Sequence, residues 1–243
     1  PEEAHYFKHA NRAWSDWAIA QGLQDGPVEN IFQLYLEPLR KFQLSAEGQI
    51  KPAAPEHHRT RIAACFDPLP VWYPPFLEDG LDEGAFPLHA ITQRPAAMYH
   101  SWGSQNAWLR QIHGENALYV PGAVCDRAGL KDGDWALLTS PSGEIRVPVR
   151  RMDAVNSSTV WTWNAIGKRK GAWALDKDAP EATRGFLLNH LIDELLPAKG
   201  DGRRWANSDP ITGQAAWFDL RVSIRKDPDQ SGEQSLPHAK PQT

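Results

Sequence analysis

Over the first fifty residues the apolar positions recur at helical spacing. Trp14, Trp17, Ala18 and Gln21 predict one helix, with Gly22 as its C-cap and Asp25-Gly26-Pro27 as the breaker that follows. Ile31, Leu34, Tyr35 and Leu39 predict the apolar face of a short second helix with Pro38 late in it. The Ala/Pro/Glu/His stretch at 51–60 reads as an exposed linker. Residues 66–76, FDPLPVWYPPF, hold four prolines among aromatics and predict an extended strap laid over another surface. After Gly84 the period shortens to two. Strands are expected at 88–93, 117–120, 135–139, 144–150, 159–163 and 216–225. In the last of these, Trp217, Asp219, Arg221, Ser223 and Arg225 alternate with Phe218, Leu220, Val222 and Ile224. Ser142-Gly143 makes a tight connection between two strands. Helical patches are expected at 104–113, 122–129 and 185–196, and the tail from Asp227 reads as disordered. The pattern therefore predicts a mainly β, barrel-like domain with inserted helices at 85–226. A helical and proline-rich strap, 1–84, precedes it, and a tail, 227–243, follows.

Composition narrows the function classes. With 26 Lys+Arg against 30 Asp+Glu the formal net charge is −4, without the basic surplus of a general nucleic-acid binder. Mean hydropathy is −0.53, and no run approaches the roughly 20 apolar residues that cross a bilayer as a helix. Cys65 and Cys125 are too few for a Cys-rich zinc site, a cluster or a disulfide scaffold. Eleven tryptophans exceed ordinary core usage several-fold. Pro1 in place of Met predicts a processed chain or a piece of a longer one.

Three segments carry a specific resemblance. Ala123–Arg146, AVCDRAGLKDGDWALLTSPSGEIR, is a short helix, a turn at Asp132-Gly133-Asp134 and a hairpin. Thr92–Ile112, TQRPAAMYHSWGSQNAWLRQI, leaves a strand and opens a helix, and Asn207–Ile224 begins NSDPITG. In this order they resemble the C-terminal region of molybdopterin oxidoreductases, the dimethyl sulfoxide reductase superfamily, over about 85–225. MYHSWGSQNAWLRQIHG, WTWNAIGKRKGAWAL and EATRGFLLNHLI are most similar to the sulfite dehydrogenase and thiosulfate–polysulfide reductase type. The resemblance implies a six-stranded double-psi-type β-barrel that binds bis(molybdopterin guanine dinucleotide) with molybdenum. It also implies a 4Fe-4S cluster and a metal ligand only in an upstream part. The expected partners are those upstream domains, a membrane anchor subunit, and an iron–sulfur electron-transfer subunit. They would hold the protein in the cytoplasm, peripheral on the inner membrane.

The same resemblance nominates cofactor-binding residues. They are Thr92, Gln93, Arg94, Tyr99, His100, Ser101, Trp102, Ser104, Gln105 and Asn106 in the first loop, and Trp163 and Asn164 after a strand. Asn207, Asp209, Pro210, Thr212 and Gly213 complete the set in the closing element. Pyrophosphates take N–H, hydroxyl and cationic donors, and pterin and guanine edges take amides and carboxylates. Each residue also has a plain reading. Ser101 or Ser104 is a helix N-cap, Arg94 a surface ion pair, Asp209-Pro210 with Thr212-Gly213 a turn, Trp161 and Trp163 core packing. Lys168, Arg169 and Lys170 read as a solvated loop or a phosphate patch. No catalytic or metal-ligating residue is assigned, and the chain alone is not expected to catalyse. A free-standing barrel module without catalytic activity is the alternative. A hydrolase built on His190, Asp193 and Glu194 is a third reading, without any nucleophile motif to support it.

Overall fold

A computed structural model of the chain describes residues 7–9, 12–22, 25–27, 30–32, 36–51, 54–69, 72, 75, 80–99, 103, 106–164, 166, 185–196, 198, 204–215 and 220–231. The chain forms two compact units: Pro1–Tyr73 with Asp209–Gln214, and Pro74–Ser208 with Ala215–Thr243.

In the first unit, β1 (Phe7–His9) pairs antiparallel with β2 (Asn30–Phe32) around α1 (Arg12–Ala20). Gly22, at φ 68°, turns the chain after α1, as its position predicts. Two expectations are corrected here. Ile31 lies in β2, and the next helix, α2 (Glu37–Ala46), begins with Pro38 in its first turn. Proline is pre-organised at that position, where its missing N–H costs nothing, so it starts this helix. The stretch read as a linker at 51–60 contains the start of α3 (Glu56–Cys65). Its polar residues give it little amphipathic signal. Phe42 meets Phe66 at 5.5 Å between centroids, and Gln43 Nε2 donates to the Ala63 carbonyl at 3.4 Å.

In the second unit, β3 (Leu88–Gln93), β4 (Leu118–Val120), β5 (Trp135–Ser140), β6 (Gly143–Arg151), β7 (Thr159–Trp163) and β8 (Arg221–Lys226) close into a six-stranded barrel of order β3-β7-β4-β6-β5-β8. Between them run α4 (Ala107–Ile112) and α5 (Gly122–Ala128). The barrel expected from the sequence is thus present. Residues 216–219 of the last expected strand and Lys168, Arg169 and Lys170 lie outside the described residues. Period-two alternation sends Leu88 and Ala90, Ala136 and Leu138, Ile145, Val147 and Val149, and Val160 and Val222 inward to one core. Leu118, Leu138, Val147, Val160 and Val222 are fully excluded from water, and each such side chain contributes about 1.5–3 kcal/mol.

The Ala123–Arg146 motif is a structural joint. α5 ends at Gly129 in the left-handed conformation, φ 64°, and the Leu130 N–H closes the cap on the Cys125 carbonyl at 2.9 Å. Asp132 Oδ1 accepts from the Arg151 N–H, and Asp134 Oδ2 accepts from the Lys131 N–H and the Lys226 ammonium. Gly133 N–H donates to the Val149 carbonyl. These bonds fasten the turn to β6 and β8.

Residues 227–231, assigned to the tail by sequence, hold ordered contacts. Arg146 pairs with Asp227 at 2.5 Å and lies 5.1 Å over the Trp135 ring. The Gln230 amide bridges the Trp135 N–H and carbonyl. Residues 232–243 lie outside the described set.

Strand direction positions the loops. β3 runs parallel to β7, β4 parallel to β6, and the other neighbouring pairs are antiparallel. The C-terminal ends of β3, β5 and β7 and the N-terminal ends of β4, β6 and β8 therefore share one rim. The segments after Gln93 and Trp163, before Leu118 and before Arg221, and the Pro141-Ser142 turn, all emerge there.

Candidate functional site: the polar rim of the barrel

At this rim Thr92 and Gln93 stand in register with Thr162 and Trp163, and the Asn164 N–H donates to the Gln93 carbonyl at 2.6 Å. The structure thus brings together Thr92, Gln93, Trp163 and Asn164, which lie far apart in sequence. Thr92 Oγ1 is buried and has no hydrogen-bond partner among the described residues. Arg94 continues from β3 and lies with its guanidinium 5.1 Å over the Tyr99 ring, which is largely exposed. His100, Ser101, Trp102, Ser104 and Gln105 lie outside the described residues.

Asn106 corrects the expected helix cap. Its Oδ1 accepts from the Trp108 N–H at 2.9 Å and the Leu109 N–H at 3.3 Å, so Asn106 caps α4, in place of Ser101 or Ser104. The helix has six residues and its leading N–H groups are already engaged. The expected phosphate seat at its N-terminus is not supported by this geometry.

Trp161 and Trp163 share a strand face, as alternation predicts. Trp161 is buried and stacks on Tyr119 at 4.0 Å and 7° between planes, and Trp163 meets it edge-on at 4.9 Å. The packing reading holds for Trp161. Trp163 is half-buried, with His113 at 5.3 Å on its edge. Together with Tyr119 and Asn116, Trp163 lines a groove of about 990 Å³, with Arg110, Arg150 and Trp135 among its other walls. Thr92, Gln93 and Asn207 do not line it.

Sequence reasoning did not single out Asn116. It is 2% exposed, and its amide bonds the Trp163 and Ile166 carbonyls and the Thr162 hydroxyl. Its partners lie 46–50 residues away, so no local spacing announces it.

The stretch 185–196 is a second correction. It forms a 3₁₀ turn at Leu188–Leu191 and extended chain in place of a helix. Ser140 Oγ donates to the Leu191 carbonyl, Leu196 N–H to Trp205 and Asn207 N–H to Glu194. Backbone groups that a helix would use internally are thus spent across the chain. His190, Asp193 and Glu194 consequently share no helix face. Asp193 pairs with Arg204 at 2.8 Å. Although burial pushes its carboxyl up, the Leu195 N–H and Arg204 outweigh that and hold it below its ordinary value. No hydrolytic dyad forms there. Asn207 is buried, and its Nδ2 donates to the Asp193 carbonyl at 3.2 Å. Its Oδ1 has no partner among the described residues.

Asp209, Pro210, Thr212 and Gly213 belong to the first unit. Asp209 Oδ1 accepts from the Ile211 and Thr212 N–H groups and the Thr212 hydroxyl, and Gly213, at φ 74°, donates back to the Asp209 carbonyl. This is the turn that the plain reading predicts. Burial raises the Asp209 carboxyl, but the Thr212 and Ile211 donors and the Arg61 charge overcome it and leave it lowered. Cys65 and Cys125 are buried thiols, both pushed up chiefly by burial. No cluster of metal-ligating side chains occurs among the described residues.

A dinucleotide with a heterocyclic edge fits what the rim leaves over. Thr92 offers an unused hydroxyl, which donates to a phosphate oxygen or a ring acceptor, and Asn207 an unused carbonyl oxygen, which accepts from a ring N–H or amino group. Buried polar groups are nearly always paired, so each orphan marks a place where a partner is due.

The closed barrel gathers its connecting segments at one rim, and Thr92 near the end of β3 and Asn207 before β8 each carry an orphaned polar atom among the described residues. Residues 88–200 match the molydopterin dinucleotide binding domain. Across 99% of its length the chain is 47% identical to a subunit of the sulfite dehydrogenase of Allochromatium vinosum, and it spans 25% of that relative. Acetylene hydratase from Pelobacter acetylenicus is 17% identical over 66% of this chain and 22% of that one, with a TM-score of 0.47, a likeness too slight to argue from.

Proposed function

We propose that the chain is the C-terminal, cofactor-binding part of a molybdenum oxidoreductase catalytic subunit. In this reading it holds bis(molybdopterin guanine dinucleotide) for the oxidation of sulfite or a related sulfur compound. The 47% identity running through both units to a quarter of a sulfite dehydrogenase subunit carries the reading. When bound, the cofactor supplies the two-electron chemistry at molybdenum. This chain's residues bind and orient it. The Thr92 hydroxyl and Arg94 serve the pyrophosphate, the amides of Gln93, Asn164 and Asn207 serve heterocycle edges, and Trp163 shields a flat face. His100, Ser101, Trp102, Ser104 and Gln105 extend the first loop's contribution. The relative is one subunit of its enzyme, which supports partner subunits for the intact protein. We assign to these a membrane anchor with an iron–sulfur electron-transfer subunit, the complex lying on the cytoplasmic side of the inner membrane.

The test uses the intact catalytic subunit. It should contain molybdenum and reduce an artificial electron acceptor when sulfite is added. A molybdenum-free preparation, or a molybdenum-loaded one indifferent to sulfite and to other reduced sulfur compounds, would overturn the reading.

A further inference from the structure

The segment between α4 and β4 acts as a latch on the end of β7. Asn116 Nδ2 donates to the Ile166 carbonyl at 2.9 Å and the Trp163 carbonyl at 3.2 Å. Thr162 Oγ1 donates to Asn116 Oδ1 at 2.8 Å and lies 3.0 Å from the Ala117 carbonyl. The His113 ring meets Trp163, and Tyr119 stacks on Trp161. Asn116, Thr162 and Ile166 are each at most 2% exposed, so these bonds form where water cannot replace them. Everything the latch grips lies on one short stretch, the turn that carries Trp163 and Asn164 and joins the Gln93 carbonyl through the Asn164 N–H.

A buried asparagine is a costly way to fill space. An apolar residue would complete the core between β4 and β7 as well, but would leave the Trp163 and Ile166 carbonyls free to turn. We propose that Asn116 is a positioning residue of the dinucleotide site, fixing the turn after β7 so that Trp163 and Asn164 stand beside Thr92 and Gln93. This rests on the reading that the rim binds the dinucleotide. Asn116 itself touches no cofactor; it acts through the two carbonyls and the Thr162 hydroxyl.

The distinction from a plain stabilising role is measurable in the intact, loaded subunit. Asn116→Asp keeps the volume and the acceptor for Thr162 but removes both N–H donors, and Asn116→Ala removes all. The readout is the rate at which guanine dinucleotide is lost during incubation well below the melting temperature, measured as guanosine monophosphate remaining in the protein. Val160→Ala, a buried change on the same strand that spares the latch, is the comparator for general destabilisation. Asn116→Asp is expected to lose dinucleotide about tenfold faster than the unaltered protein, as when other supporting contacts of a bound group are removed, while Val160→Ala loses it at the unaltered rate. Equal loss rates for Asn116→Asp and the unaltered protein, or for Asn116→Asp and Val160→Ala, would overturn the proposal. Where neither Asn116 variant folds, Thr162→Val removes the hydroxyl that anchors Asn116 and carries the same expectation in the same direction. An unaltered subunit devoid of guanosine monophosphate would refute the dinucleotide reading itself, an outcome visible before any variant is made.

Discussion

Replacing Thr92 by Val separates the cost of the rim from its use. The Thr92 hydroxyl is buried without a partner among the described residues, and an unmet hydroxyl in such a place costs about 1–3 kcal/mol. Val has nearly the same shape and a stronger strand preference, so the change removes the cost and keeps the packing of β3 against β7. In the cofactor-free subunit Thr92→Val should therefore stabilise the local fold by about 1 kcal/mol, taking the low end of that range. Native-state hydrogen exchange reads this directly. The amides paired between β3 and β7 should exchange about fivefold more slowly, the factor corresponding to that free energy. With dinucleotide bound the sign reverses. The variant lacks a hydrogen bond to a charged or polar ligand group, a loss of about 1.5–3 kcal/mol, or roughly ten- to a hundredfold in retention. Faster exchange in the cofactor-free variant would show that the hydroxyl is satisfied. Unchanged dinucleotide retention would show that it faces no ligand. Either result refutes the reasoning.

Other consequences concern the scaffold. A Cβ on Gly143 would stand 2.7 Å from the His190 carbonyl oxygen, so Gly143→Ala should destabilise the barrel by about 1–3 kcal/mol in denaturant melts. Asp227→Ala removes the buried carboxylate that pairs with buried Arg146, whose other charge contact, Asp229, is exposed, and should cost about 3 kcal/mol by the same assay. Asp134, held low first by the Lys226 ammonium and then by the Lys131 N–H, and Asp209, held low by its turn against the opposing effect of burial, have depressed folded-state pKa values. Their contribution is complete above the ordinary carboxylate value and is lost as pH falls through the folded one. Stability should thus be flat through neutrality in this respect and decline only under acid conditions, checked by melts from pH 7 downward. Neither Cys65 nor Cys125 should react with a thiol reagent at neutral pH while the fold is intact, since both are buried and raised.

Much of the barrel is legible in the sequence because its strands obey one period. Leu88–Gln93 and Thr159–Trp163 fall where alternation places them, and Gly129 and the Asp132–Asp134 turn announce the joint between α5 and β5. The failures share a cause. GFLLNHLIDELL reads as a helix, yet its backbone is drawn into bonds with Ser140, Trp205 and Asn207 that no local pattern records. Pro38 reads as a late residue because the apolar set at Ile31, Leu34 and Tyr35 falls before it, whereas β2 takes Ile31. Thr92 and Asn207 are nominated by resemblance alone, and what the structure adds is that each holds a buried polar atom without a partner among the described residues. Asn116 is invisible until β4 and β7 are laid side by side.

The central claim is that this barrel seats a molybdopterin guanine dinucleotide in a molybdenum enzyme. Acid hydrolysis of the purified intact subunit, with guanosine monophosphate and molybdenum quantified against protein, tests it most directly. Guanosine monophosphate and molybdenum are expected together, in a ratio of about two to one, the stoichiometry of a bis(dinucleotide) centre. Protein that is folded and free of both would contradict the claim.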